Sequence, residues 1–137
     1  MKKYKLTDET IQITRNGKEV ILHRIEALQD FADVKAGDKG GFVENEANLR
    51  HNGDCWIYGS AKVFDNAVVD GNAWVYDNAK VNGNANIRDY AMVYGNAKVG
   101  GNSKVYDNAE VYGSAEVYGS AKVGGTSKVY GDTVLSK

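Results

Sequence analysis

Ala91-Met92-Val93-Tyr94-Gly95-Asn96, followed at once by Ala97-Lys98-Val99-Gly100-Gly101-Asn102, is one six-residue unit written twice, and residues 55–132 repeat it 13 times. A fixed short period overrides element-by-element reading, because each copy must adopt the same local structure. Counted from its small residue, position 1 is Ala ten times, Ser at 103 and 127, and Cys at 55. Position 3 is Val eleven times and Ile at 57 and 87. Positions 1 and 3 are two apart and share one face of an extended segment, whereas positions 2 and 4 point the other way. Those outward positions are mostly Lys, Glu, Trp and Tyr. Position 5 is Gly nine times and Asp four times, and position 6 is Asn seven times. Gly-Asn and Asp-Asn tolerate positive φ and bond their own backbone, which is corner chemistry. Each unit therefore reads as a strand of about four residues and a corner of about two. Strands this short with corners this regular argue for a chain that turns the same way every six residues and stacks on itself, rather than for hairpins.

The pattern resembles the hexapeptide-repeat family, in which an aliphatic residue is followed four places later by a small one, as in Val63 to Ala67 and Val93 to Ala97. The resemblance covers more than half of the chain and implies an all-β fold: a left-handed parallel β-helix of triangular section, three hexads to a coil and about five coils in all. The family often places a small or acidic residue just after the aliphatic one. Tyr frequently stands there in this chain, which marks a divergent version. With three hexads per coil, residues 18 apart stack about 4.8 Å apart. Position 4 on one face then reads Tyr58, Tyr76, Tyr94, Tyr112 and Tyr130. The other faces are mixed: Phe64, Asn82, Gly100 and Tyr118 on one, Asp70, Arg88, Tyr106 and Gly124 on the next. An all-Tyr ladder emerging from the assumed period supports the three-sided coil.

Residues 1–40 have a different texture and are expected to form an N-terminal β-hairpin cap with its connector, residues 41–137 forming the helix. Arg15-Asn16-Gly17-Lys18 lies between Thr10–Thr14 and Glu19–His23, and Asn-Gly between alternating runs is a strong hairpin signal. The hairpin is expected to cover the open end of the helix, where ladder groups would otherwise invite edge pairing. Residues 26–40 form a connector with Phe31 as its anchor. Gly41–Glu46 and Ala47–Asn52 already fit the hexad, and Gly53-Asp54 then inserts two residues, predicting a bulged corner. The stretch from Ala27 to Trp56, with Asp30-Phe31, Gly37-Asp38, Gly40-Gly41-Phe42-Val43-Glu44 and Gly53-Asp54-Cys55-Trp56, resembles the front half of small hexapeptide-repeat proteins of bacteriophages and prophages. That resemblance implies a phage or prophage origin.

The chain has 137 residues and a net charge of −1. Residues 55–137 carry eight basic and eight acidic side chains, so no global field points to nucleic acid. Cys55 is the single cysteine and stands at an inward small position, where a thiol serves as a small apolar group. The absence of a disulfide framework fits a reducing compartment. No apolar run approaches the length of a membrane span, and the expected location is the cytoplasm of a bacterial host cell. Proline is absent, as suits a backbone whose N–H groups are nearly all needed for ladders.

Many hexapeptide-repeat proteins are acyltransferases, and the resemblance among those enzymes lies in a catalytic His, long loops between coils and sites between the subunits of a trimer. This chain has His only at 23 and 51, His51 being read as a solvated corner residue, and no loop interrupts residues 55–132. The related carbonic anhydrases hold zinc with three His, a set this chain cannot supply. The expectation from sequence is therefore no enzyme: no catalytic residue, no cofactor and no metal site.

Two surface ladders remain. Position 2 on the tyrosine face reads Trp56, Trp74, Met92, Glu110 and Lys128, so Trp56, Tyr58, Trp74, Tyr76, Met92 and Tyr94 together predict an exposed apolar patch of the kind that marks contact surfaces. The competing reading is a stacked ladder that only stabilises neighbouring coils. A second ladder is Lys62, Lys80 and Lys98, either a solvated basic face with neighbours such as Asp65 and Asp77 or, with Arg88, a set of anion contacts. The favoured function is a binding or scaffold protein acting by protein–protein contact, with itself as dimer or trimer or with a host or defence protein that it blocks. The alternatives are a sponge for an anionic nucleotide between subunits and an acyltransferase-like relic. No membrane or specific nucleic-acid partner is expected.

Overall fold

The computed structural model describes residues 2–137, and the repeat forms a parallel β-helix of about five coils. In every hexad from Cys55 onward, positions 2 and 3 form a two-residue strand, and fourteen such strands run from Trp56–Ile57 to Val134–Leu135. Positions 1 and 4 extend each one. The Lys62 N–H donates to the Ala79 carbonyl and the Phe64 N–H to the Val81 carbonyl, both at 3.0 Å, so each coil hangs from the next. Position 5 has positive φ in all thirteen hexads, from 56° at Asp107 to 68° at Gly119. This left-handed step turns the chain through each corner, and Gly and Asp stand there because they tolerate it.

Residues 18 apart pair in register, Trp74 with Met92 and Lys80 with Lys98. Three faces result: a tyrosine face of five strands, a lysine face, and a third face of four. Val and Ile at position 3 and the small residues at position 1 fill the interior, all fully buried from Cys55 to Ala121. Ser103 is the polar member of this column, and its hydroxyl donates to the Gly100 carbonyl at 2.7 Å, which removes the penalty of burying it.

The hairpin consists of strands β1 (Tyr4–Arg15) and β2 (Lys18–Ala27), joined at Asn16-Gly17 with φ of 54° and 76°. Positive φ at both central residues matches the twist of a two-residue turn. The hairpin does more than lie across the end of the helix. Strand β3 (Lys39–Val43) pairs antiparallel with β2 and parallel with Lys62–Val63, so the hairpin continues the lysine face as one eight-stranded sheet. Its inner side supplies Tyr4, Ile25 and Ala27, which close the apolar interior together with Val34 and Leu49. Its other side packs Leu22 on Phe42 and Phe64, with Ile11, Ile13 and Val20 around them. Phe64, read from sequence as an isolated outward residue, is therefore buried under the hairpin.

The two-residue insertion is visible as a change of offset. Val43 pairs with Val63 and Leu49 bridges to Val69, each 20 residues apart, before the 18-residue register begins. Gly53 has φ of 65°, and a Cβ there would collide with the Gly71 carbonyl oxygen, so glycine is required in the bulged corner. Among the described residues, no helix is long and apolar enough to cross a membrane.

Candidate functional site

The tyrosine face presents its ladder as expected from Tyr76 onward. Tyr76 and Tyr94 stack with centroids 4.7 Å apart and planes 3° from parallel. Tyr94 and Tyr112 follow at 5.0 Å and 4°, and Tyr112 and Tyr130 at 5.4 Å and 14°. The coil spacing imposes this stacking, since rings repeated every 18 residues on one rotamer fall into offset contact. The first step breaks the pattern: Tyr58 meets Tyr76 edge-on at 6.3 Å and 84°. Trp74 lies against Tyr58 at 5.7 Å and 75°, and the Tyr58 hydroxyl donates to Asp33 at 2.8 Å, so the connector pulls this ring out of the stack.

Trp56 corrects the sequence reading. It occupies an outward position of the repeat yet is only 1% exposed. The connector and strand β1 fold over it, with Phe31 edge-on at 5.2 Å and Tyr4 edge-on at 6.2 Å. A period-based argument places a side chain outside its own coil but cannot see what another segment lays on top. The exposed patch is thus shorter than expected. It starts at Tyr58 and Trp74 and continues through Tyr76, Met92 and Tyr94, all half-buried.

At the N-terminal end of this strip lies a groove of about 640 Å³ lined by Tyr58, Trp74, Tyr76, Asp33 and Asp77, with Asn78 and Asn96 along the corner. The Trp74 indole N–H donates to the Asp54 carbonyl at 3.2 Å, which fixes that ring as one wall. Asp77 accepts the Gly95 N–H at 3.1 Å. Burial pushes the Tyr58 hydroxyl well above the usual tyrosine range, helped by the hydrogen bond to Asp33 and its charge. The same order of causes, with Glu110 as acceptor at 2.7 Å, raises Tyr94. Both phenols are held as neutral donors to carboxylates. Asp33 was not identified from sequence, because it belongs to the connector. Asp77 was noted only as a neighbour of the lysines. The signal that could have found it is the pair Tyr76-Asp77, a ring at position 4 followed by a carboxylate at position 5.

Of the four proposed anion contacts, the structure brings the three lysines together and leaves Arg88 apart. Lys62, Lys80 and Lys98 stack in register on the lysine face, flanked by Phe42 at one end and Glu116 at the other. Burial lowers the Lys62 pKa, and the charge of Lys80 adds to the effect. Arg88 stands on the third face, with its guanidinium over the Tyr106 ring at 4.8 Å and 3.9 Å from the carboxylate of Asp89.

The two histidines are both engaged. His51 is not a solvated corner. Its ring stacks on Tyr4 at 4.3 Å and 16°, and Nδ1 accepts the Lys3 N–H at 3.0 Å, leaving the ring proton on Nε2, 2.9 Å from Glu46. His23 Nδ1 lies 3.1 Å from the Thr7 carbonyl. Cys55 is fully buried, as expected, with Lys3 Nζ at 3.5 Å from its sulfur and 2.7 Å from its carbonyl. Burial lowers the Lys3 pKa and raises that of the thiol. Among the described residues no group of His, Cys, Asp and Glu could hold a metal ion.

The chain matches no established family profile. A stretch of 74 residues is 40% identical to the uncharacterized acetyltransferase YdcK of Escherichia coli K12, covering 50% of this chain and 23% of that protein. The chain therefore spans about a quarter of the length of this relative. A relative so named fits a hexapeptide-repeat β-helix. It also overturns the expectation of no enzyme, which rested on the scarcity of histidine and the missing loops. The relative is a bacterial protein, and the likeness lends the phage resemblance no support.

Proposed function

We propose that this chain is a rigid β-helical binding protein whose working surface is the tyrosine face from Tyr58 and Trp74 to Tyr94, and that the face docks a protein partner. The observation that carries this reading is the half-exposed aromatic strip held on a fixed scaffold. Stacking freezes the rings at no further entropic cost on binding, and large rigid aromatics of this kind dominate contact energetics. The backbone beneath cannot adapt, because each coil is hydrogen-bonded to the next. Trp74→Ser combined with Tyr76→Ser tests the reading. Both side chains lie outside the coil, so the variant should fold, while self-association by light scattering and partner affinity should weaken by several kcal/mol on the scale of interface hot spots. Unchanged mass and unchanged affinity would reduce the strip to a structural ladder.

A second reading, acetyl transfer, is favoured by the name of the relative alone. It is tested by incubating the protein with acetyl-CoA and a panel of amine and hydroxyl acceptors. Release of free CoA that depends on acceptor would support it.

A further inference from the structure

We propose that the groove bounded by Tyr58, Trp74, Tyr76, Asp33 and Asp77 receives an arginine side chain of the partner protein. This rests on the contact-face reading above and names what the face recognises. The argument comes from what the chain does with its own arginines. Three of them lie over an aromatic ring and beside a carboxylate. Arg15 lies 5.7 Å from the Phe64 centroid and 2.8 Å from Asp65. Arg24 lies 4.4 Å from that of Phe42 and 2.7 Å from Glu9. Arg88 lies over Tyr106 and beside Asp89. A guanidinium suits such places because its flat face stacks on a ring while its edge donates to an acid.

Phe64-Asp65 and Tyr76-Asp77 are the same two positions of the repeat, in Ala61-Lys62-Val63-Phe64-Asp65-Asn66 and Ala73-Trp74-Val75-Tyr76-Asp77-Asn78. The corner geometry is also the same: φ is 59° at Asp65 and 58° at Asp77, and each carboxylate accepts the N–H one coil on, from Gly83 at 3.0 Å and Gly95 at 3.1 Å. At Phe64-Asp65 the hairpin supplies Arg15. At Tyr76-Asp77 the carboxylate and the ring, one flat face of which is stacked on Tyr94, line the groove together with Trp74, Tyr58 and a second carboxylate, Asp33, which accepts the Tyr58 hydroxyl. Among the described residues no Lys, Arg or His nitrogen lies within 4.0 Å of Asp33 or Asp77. The groove thus carries two negative charges and three aromatic rings, a surface complementary to a guanidinium. It is continuous with the strip through Tyr94, which only an extended partner could cover together with it, so the source is a protein side chain rather than a free amine.

The two tryptophans provide the readout, since Trp56 is buried and Trp74 forms a wall of the groove. Blocked arginine (N-acetyl, N-methylamide), blocked norleucine and N-acetylglucosamine are titrated separately while the two indole N–H resonances are followed. The expected result is a saturable shift of the Trp74 signal with blocked arginine, none at Trp56, and none with the neutral probes. Asp77→Asn, which keeps an acceptor for the Gly95 N–H, should weaken arginine binding about fivefold or more. Equal shifts with norleucine or the sugar, no saturable shift with arginine, or an unchanged Asp77→Asn variant would each overturn the proposal. If Trp74→Ser with Tyr76→Ser abolishes partner binding while Asp77→Asn leaves it intact, the contact face stands and the arginine assignment falls. If neither variant changes binding, both fall.

Discussion

The carboxylate of Asp65 accepts the backbone N–H of Gly83, one coil further on, at 3.0 Å. The same bond joins Asp77 to Gly95, Asp89 to Asp107 and Asp107 to Gly125, at 2.9 to 3.1 Å. The N–H of position 5 points back toward the preceding corner. An aspartate there tolerates the left-handed backbone and supplies the acceptor that a glycine lacks. The alternation of Gly and Asp at this position therefore has two physical solutions to one geometry: freedom of φ, or a side chain that ties the coils together.

Gly113 tests this account, since its corner neighbours are Gly95 and Gly131 and its φ is 67°. Gly113→Ala should lower stability by about 2 kcal/mol or more, because the left-handed backbone alone costs about 1 to 2 kcal/mol and the new Cβ would press on the Gly131 backbone nitrogen, 2.8 Å away. Gly113→Asp carries the same Cβ but should recover part of that loss by accepting the Gly131 N–H. Urea unfolding midpoints of the two variants give the comparison, and an Asp variant as unstable as the Ala variant would refute the tie.

Val93 is fully buried between Val75 and Val111. Val93→Asp places a carboxylate among aliphatic side chains with no partner, and should destabilise by several kcal/mol, the scale of an unpaired buried charge. A melting temperature within a degree or two of wild type would show that position 3 does not face inward.

The repeat made the coil, its three faces and the in/out alternation legible, because a period of six leaves each residue one orientation. The bulged corner at Gly53-Asp54 was equally legible as a break in that period. What stayed hidden came from segments outside the repeat. Phe31 and Tyr4 cover Trp56, the Leu22 side of the hairpin covers Phe64, and Asp33 diverts Tyr58 from the stack. Each is a contact between residues far apart in the chain, and no local pattern encodes it. His51 shows the same limit: a corner position by count, it is drawn in by Tyr4 and the Lys3 N–H.

The N-terminal strand should loosen in acid. Glu46 is held below the ordinary carboxylate value of 4.5 by its hydrogen bond from His51 first and from Lys2 next, with burial opposing. A depressed folded-state pKa means the stabilisation is present above the unfolded value and is lost as pH falls through the folded one. Below about pH 4.5 the ties to Lys2 and His51 weaken, and with them the packing of Tyr4 on Trp56. The Trp56 indole resonance should broaden or move in that range, and Glu46→Gln should show the same change already at neutral pH. A Trp56 signal insensitive to both would sever Glu46 from the docking of this strand.

The tyrosine ladder should make stability fall in alkali. Tyr94 is raised above its usual value of 10.0 by burial, then by the hydrogen bond to Glu110 and that carboxylate's charge, with Tyr76 and Tyr112 adding. Tyr76 is raised for the same leading reason. A raised folded-state pKa means the contribution is whole below the unfolded value and is lost as pH rises through the folded one, because the unfolded chain gives up its protons first. Tyr94→Phe keeps the ring between Tyr76 and Tyr112 but removes the ionising hydroxyl and its bond to Glu110. The variant should be less stable than wild type at neutral pH by about 1 to 2 kcal/mol, the scale of a hydrogen bond to a charged group. It should also lose less stability than wild type between neutral and strongly alkaline solution. Urea unfolding at the two pH values measures both slopes. Parallel slopes would show that Tyr94 titrates as a free tyrosine and that its bond to Glu110 does not hold the proton.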